Sequence, residues 1–268
     1  MRRSLLGILT LTLFVLILAD RVSQRLHRSD MRSQVVQGTN DSRAARAVDR
    51  PSAGVTHGAD LPVRSATPTV DRLARLATRQ QLTREAATTY LDSLMLSTDS
   101  VVRRWPDRYG SPLKVALVEG GVNGYGPRMA GFMRDALDRW ENTAIGLRFV
   151  AVHDTAGADV VVRWIDHFDI DRAGQTDLTW DQAGRVRRAT ISLAIRTNTG
   201  ASLGDAALLA VAVHEVGHAL GLPHSGDTAD VMFPATRTGS LSERDRRTIG
   251  VLYRLPPGPV RDLLADGS

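Results

Sequence analysis

The stretch from residue 205 to 224, DAALLAVAVHEVGHALGLPH, constrains this chain more than any other. It opens on Asp205, a residue type that caps helix starts, and runs through Ala, Leu and Val to Gly221, which can take φ > 0 and end a helix. A helix over 205–221 puts His214 and His218 at i and i+4, one turn apart on one face, so both rings can reach one zinc ion at about 2.0–2.1 Å. Glu215 borders the same face, placed to touch a water on that ion without being a ligand. A stop at Gly221 lets the chain turn back, and His224 then approaches the ion from the other side. Three imidazoles leave a fourth position for water, the arrangement of catalytic rather than structural zinc. The pattern His-Glu-x-x-His-x-x-Gly-x-x-His fixes five positions, and a chance match in a chain of this composition is on the order of one in a hundred thousand.

None of the 268 residues is cysteine. That excludes a disulfide framework, a thiolate zinc finger, an Fe–S cluster and a thiol nucleophile, and leaves His, Asp and Glu to hold any catalytic metal. The composition, 43% hydrophobic and 24% charged, is that of a globular protein. The net charge of +5 does not indicate a nucleic-acid partner. Residues 1–50 carry nine arginines against four aspartates, whereas the remainder balances 25 basic against 25 acidic side chains. A nucleic-acid module carries its positive charge on the folded body, and this body is neutral.

Met1-Arg2-Arg3 followed by the uncharged run Ser4 to Ala19 has the layout of an export segment. Sixteen helical residues cover about 24 Å, short of the roughly 30 Å hydrocarbon core, which favours a cleaved signal peptide. Ile17 is a poor residue for the cleavage site, which favours a retained anchor. Residues 1–19 are therefore a signal peptide or a membrane anchor, and the protein is expected outside the cytoplasm, secreted or tethered. Residues 20–69, rich in Arg, Ser, Asp, Gly and Thr, read as a flexible basic linker. Residues 70–100 contain a helical period over 70–95, with Leu73, Leu76, Leu82, Tyr90, Leu91 and Leu94 as its apolar positions, and their role is open between a pro-segment, a packed helix and a spacer.

From residue 101 strands and helices alternate. Strands are expected at Leu113 to Val118, Leu147 to Val152, Asp159 to Trp164 and Val186 to Ile195. Residues 127–142 form a core-facing helix begun by Pro127. Asp166 to Asp181 reads as a solvated loop; its several carboxylates leave calcium conceivable, but their spacing gives it no support. His153 and His167 read as surface or packing residues. Ser242 and Asp245 form a variant capping box at the start of a last helix that buries Ile249, Leu252 and Tyr253 and stops at Pro256-Pro257. The boundaries are a domain over 101–257 and a C-terminal tail over 258–268.

His214 to His224, HEVGHALGLPH, resembles the zinc signature of the metzincin metallopeptidases. Val231-Met232-Phe233-Pro234 resembles their Met-containing turn. Its spacing from the third histidine, Ser225 after that histidine and the proline after Met-aromatic are most similar to the matrixin branch, in its bacterial extracytoplasmic form. Matrixins usually have tyrosine where Phe233 stands. The resemblance, tight over 205–234 and traceable over about 101–255, implies an α+β catalytic domain: a small twisted mixed sheet packed on a long active-site helix, with a second core helix, a Met-turn and a C-terminal helix. Gly221, Met232 and Pro234 would support the site, and a soft methionine side chain fills space beneath a metal without competing for it.

The resemblance also implies an activity. One zinc ion on His214, His218 and His224, with Glu215 as general base toward the zinc-bound water, would make the chain a metalloendopeptidase acting on protein or peptide substrates. Matrixins take substrate as an added strand on a sheet edge, which places Ala189, Ile191 and Leu193 on the expected edge, with Phe233 bounding the pocket beyond the cut. The alternative is a membrane-tethered, non-catalytic zinc-binding interaction protein. The pro-segment cysteine that commonly keeps matrixins latent has no counterpart in a cysteine-free chain.

Overall fold

Runs of β-branched residues need cover, which Leu113–Val118 and Val160–Ile165 at the centre of the sheet receive and the edge strand Phe149–Val152 largely does not. The computed structural model describes residues 70–96, 100–108 and 110–261. In chain order its elements are α1 (Val70–Glu85), α2 (Asp92–Leu96), β1 (Val101–Val102), β2 (Leu113–Val118), α3 (Pro127–Glu141), β3 (Phe149–Val152), β4 (Val160–Ile165), β5 (Gly174–Trp180), β6 (Val186–Ala194), α4 (Asp205–Ala219), α5 (Glu243–Arg254) and β7 (Gly258–Pro259). The architecture is α+β. One five-stranded mixed sheet has the order β3-β2-β4-β6-β5, its first four strands parallel and β5 antiparallel at the edge. Near-continuous apolar runs such as LKVALV in β2 and VVVRWI in β4 are the pattern of parallel strands buried on both sides.

Two helices fill the principal core. Pro127 sits at the start of α3, and Met129, Met133, Ala136, Leu137 and Trp140 form its buried face. Helix α4 is apolar nearly all round and is buried accordingly, packed on α3 and against β5 and β6. The Trp140 indole donates to the Val213 carbonyl at 2.8 Å, and the Trp105 indole donates to the Ala219 carbonyl at 2.9 Å, so tryptophans grip both the middle and the end of α4. Gly221 has φ +100 and ends the helix as expected. Its Cα faces the carbonyl of Arg103 so closely that a side chain there would overlap the backbone. Helix α5 has the expected capping box, with Ser242 as N-cap and Asp245 at N3.

Several expectations need correction. The segment read as a loop over Asp166 to Asp181 contains β5, in register with β6 from Gly174 opposite Leu193 to Leu178 opposite Ala189. Strand β6 is therefore flanked by β4 and β5 and is not an edge. Ala189, Ile191 and Leu193 are buried, so no substrate strand can pair there. The N-cap of α4 is Gly204; Asp205 is the first helical residue and lies 3.4 Å from Arg128. The helix over 70–95 is two helices, with Leu73 and Leu76 exposed and Leu82, Tyr90, Leu91 and Leu94 buried in the same core as α4. Residues 258–260, expected in the tail, belong to the fold, since β7 pairs with β1 and Val260 is buried, and residues 262–268 lie outside the described residues. No helix among the described residues is long and apolar enough to cross a membrane, and the segments 1–19 and 20–69 lie outside the described residues.

Leu82 tests whether α1 is part of the fold. Its side chain is 0% exposed, and Leu82→Ala removes packing that cavity formation leaves unreplaced. We expect it to lower the stability of the main transition in urea by about 2–5 kcal/mol. An α1 that merely hung from the domain would leave that transition where it was.

Candidate metal centre and active site

Helix α4 carries His214, Glu215 and His218, and the turn at Gly221 returns the chain so that His224 faces them. The three rings stand with centroids 4.7, 5.3 and 4.6 Å apart. One ligand atom from each lies within 4.8 Å of the other two. Two of the tautomers are fixed by the backbone. Nδ1 of His214 lies 2.7 Å from the carbonyl oxygen of Val231, and Nδ1 of His218 lies 2.8 Å from that of Leu222. A carbonyl only accepts, so each Nδ1 carries the proton and each Nε2 presents a lone pair. The Nε2 atoms of His218 and His224 are 3.1 Å apart. That is near the spacing of about 3.3 Å that two nitrogens adopt around one tetrahedral zinc, so the donor set fits the ion.

Burial favours the ligand form of these rings. It lowers His214 from an ordinary 6.5 to about 4, against the Val231 bond, which acts upward. His218 is held well below 6.5, first by burial and then by its histidine neighbours. Glu215 shifts the other way. Burial raises its carboxyl from 4.5 to about 7, opposed by a hydrogen bond from Thr176.

That bond comes from β5. The Thr176 hydroxyl lies 2.6 Å from Oε2 of Glu215 and 3.0 Å from the Glu215 carbonyl; its single proton serves the shorter contact, to the carboxyl group. Gly174, on the same strand, is pressed against that carboxyl group, where a methyl group would overlap Oε1. Neither Gly174 nor Thr176 was singled out in the sequence, although the alternation Thr176, Leu178, Trp180 carried a strand signal inside the acidic stretch.

Of the other expected residues, Met232 is fully buried with its sulfur against Gly217, on the turn of α4 that bears the ligands, a glycine that Trp140 also closely approaches. Phe233 is half-buried and Pro234 exposed on the loop that follows. The loop from His224 to Met232 is closed by the Ser225 amide on the Met232 carbonyl at 2.9 Å. Below it, Arg244 reaches Asp230 at 2.7 Å and the Ser225 hydroxyl at 2.6 Å. Ala189, Ile191 and Leu193 lie in β6, inside the sheet, and are not part of the site.

A mixed sheet over a helix with an HExxH pair, a glycine stop, a third histidine and a buried methionine turn is the plan of a metzincin. Residues 126–254 match the family model of the matrixin peptidases, which supports a matrixin-like metzincin domain over that stretch. A 95-residue stretch is 34% identical to Metalloendoproteinase 1 of Glycine max; the match covers 34% of this chain and 26% of that protein's length. Matrixins bind zinc, and the triad of His214, His218 and His224 is positioned to hold a metal ion.

The opposed shifts predict how the metal-free protein responds to pH. Below 6.5 the unfolded chain protonates two histidines that the fold keeps neutral, so stability falls as pH falls. Glu215 opposes this, because the folded state takes up its proton near 7 and the unfolded state only near 4.5. Net, about one proton favours the unfolded state, and stability drops by roughly 1 kcal/mol per pH unit from pH 6.5 to 5. In Glu215→Gln the opposing group is gone and that slope about doubles. Urea titrations of both proteins across this range, in the presence of chelator, measure it.

Proposed function

We propose that the domain is a zinc-dependent endopeptidase with Glu215 as its general base. The observation that carries this reading is the placement of Glu215: next in sequence to a metal-ligand histidine, buried, and pinned by Gly174 and Thr176. When bound by His214, His218 and His224, one zinc ion supplies Lewis acidity toward the scissile carbonyl and the attacking water. Glu215 accepts the proton of that water and delivers it to the departing amine nitrogen. Thr176 holds Oε2 and Gly174 borders Oε1, so the carboxyl group that takes the proton in this reading is kept in one place. A non-catalytic zinc-binding protein has no use for a carboxyl group buried at that cost, so the peptidase reading is favoured over a tethered interaction protein.

The corrected topology supports one mode of substrate recognition. Strand β5 has β6 on one side only, and its other side is an open edge onto which an extended peptide can add as a strand. On this reading the backbone of Gly174–Trp180 takes the role expected of β6. Phe233 and the loop through Ser240 bound the pocket for the residue beyond the cut, and Arg139 pins that loop by donating to the Gly239 carbonyl. We place the enzyme outside the cytoplasm, secreted or tethered through residues 1–19, acting on protein or peptide substrates, with no nucleic-acid partner.

The test is digestion of casein and a fluorogenic peptide by the zinc-loaded full chain. Glu215→Gln is expected to keep its zinc and lose about 10²- to 10⁴-fold in kcat, and a zinc chelator abolishes cleavage by the parent. A variant that cuts at the parent rate, or a zinc-loaded parent that cuts nothing, removes the proposal.

A further inference from the structure

We infer that residues 70–96 are a working part of the metal centre, with Tyr90 positioning the His214 ring through Asp245 and Val231; for its effect on turnover this rests on the peptidase reading. A continuous path of hydrogen bonds supports it. The Tyr90 hydroxyl donates to Oδ1 of Asp245 at 2.9 Å. Oδ2 of Asp245 accepts the Val231 amide at 2.9 Å and the Ser242 amide at 2.8 Å. The Val231 carbonyl accepts Nδ1–H of His214 at 2.7 Å. Tyr90, Asp245, Val231 and His214 are all buried, so water does not replace a lost partner.

Each link has one direction. A backbone amide only donates, a backbone carbonyl only accepts, and burial with Asp245 nearby holds the Tyr90 hydroxyl in its protonated, donating form. The Val231 residue is thus gripped from both sides: its amide by the carboxylate, its carbonyl by the ring of a metal ligand. Without the tyrosine hydroxyl, Oδ1 of Asp245 loses its buried donor and the carboxylate is free to turn, loosening the Val231 amide and with it the carbonyl that orients His214. Partners that fix a ligand's outer nitrogen commonly change metal affinity 10- to 100-fold when removed.

Other contacts show the segment seated rather than draped. Leu82, Leu91 and Leu94 share the core of α4, Arg247 pairs with Glu85 at 3.0 Å, and Arg261 donates to the Met95 carbonyl at 2.6 Å. The Tyr90 ring also lies 5.6 Å from the Arg244 guanidinium, the group that holds Ser225, the residue after His224. One side chain from the N-terminal segment therefore touches the supports of two ligands. Such a contact suits a permanent brace and not a pro-segment that is discarded on activation.

The test uses the full chain and reads zinc directly. In competition with a fluorescent zinc chelator, Tyr90→Phe is expected to bind zinc about tenfold more weakly than the parent. In proton NMR of the zinc-loaded proteins its His214 Nδ1–H resonance moves, while that of His218, bonded to Leu222 outside the path, stays. Leu82→Ala, on the same segment but off the path, loses stability and keeps zinc affinity within about twofold. Combining Tyr90→Phe with Asp245→Asn adds little to Asp245→Asn alone, because both cut one path. Parent-like zinc affinity in Tyr90→Phe, an equal loss in Leu82→Ala, or additive losses in the double variant overturn the inference. Cleavage separates the two readings: a parent that binds zinc but cuts nothing removes the peptidase, while the zinc and NMR results still decide the brace. In an active parent, Tyr90→Phe lowers kcat and leaves KM.

Discussion

Two backbone carbonyls decide what the metal centre can be. Val231 and Leu222 each take the Nδ1 proton of a histidine on α4, and by doing so turn both Nε2 lone pairs toward His224. An imidazole free to choose its tautomer would present an N–H to the same point part of the time and repel a cation there. The rest of the fold can be understood as what brings those carbonyls into place. Leu222 arrives because the chain reverses at Gly221, whose conformation and close approach to Arg103 admit no side chain. Val231 arrives because the loop after His224 is closed on itself and anchored to the cap of α5 by Asp245.

This arrangement explains why α4 is buried so completely. A surface helix would give His214 and His218 water as an alternative partner and let their charged forms persist. Packed on α3, under Trp140 and above Met232, the rings stay neutral, and the same exclusion of water raises the Glu215 carboxyl. Burial thus acts on acid and base in opposite senses with one cause, the loss of hydration for whichever form is charged. The positioning hydrogen bonds are strong for the same reason, since no solvent competes for them.

How much of this was legible in the sequence depends on how local each feature is. The histidines, Glu215 and the stop at Gly221 fall within eleven residues, and helix geometry alone relates them. The capping box of α5 is equally local, and it was read at Ser242 and Asp245. Strand pairing is not local. Val186 to Ile195 alternates in a way that fits an inner strand or an edge, and only the seat of β5 beside it decides between them. Strand β5 itself was hidden because its neighbours Asp166, Asp169, Asp171 and Asp181 make the window look solvated, while its own Thr176 and Leu178 point where the sheet needs them. The contact of Tyr90 with Asp245 spans 155 positions, and no periodicity in either segment announces it.

The placement of β5 carries a consequence for how a peptidase of this design would keep its parts in register. Gly174 and Thr176 fix the carboxyl group of Glu215, and the same strand has the open edge on which we propose that a substrate backbone adds. Base and substrate are then referred to one element rather than two, so a rigid shift of the edge moves both together and leaves their separation unchanged. The register irregularity at Thr179 and Trp180 lies at the far end of the strand from Gly174, where the ladder can bend without disturbing the carboxyl group. Antiparallel pairing with β6 along the stretch between holds the strand against the sheet. A loop in this position, as the acidic composition suggested, would have left both the base and the edge to fluctuate independently. On the proposed reading, the hydrogen-bonded strand makes a side chain on a helix and a peptide at a sheet edge parts of one geometry.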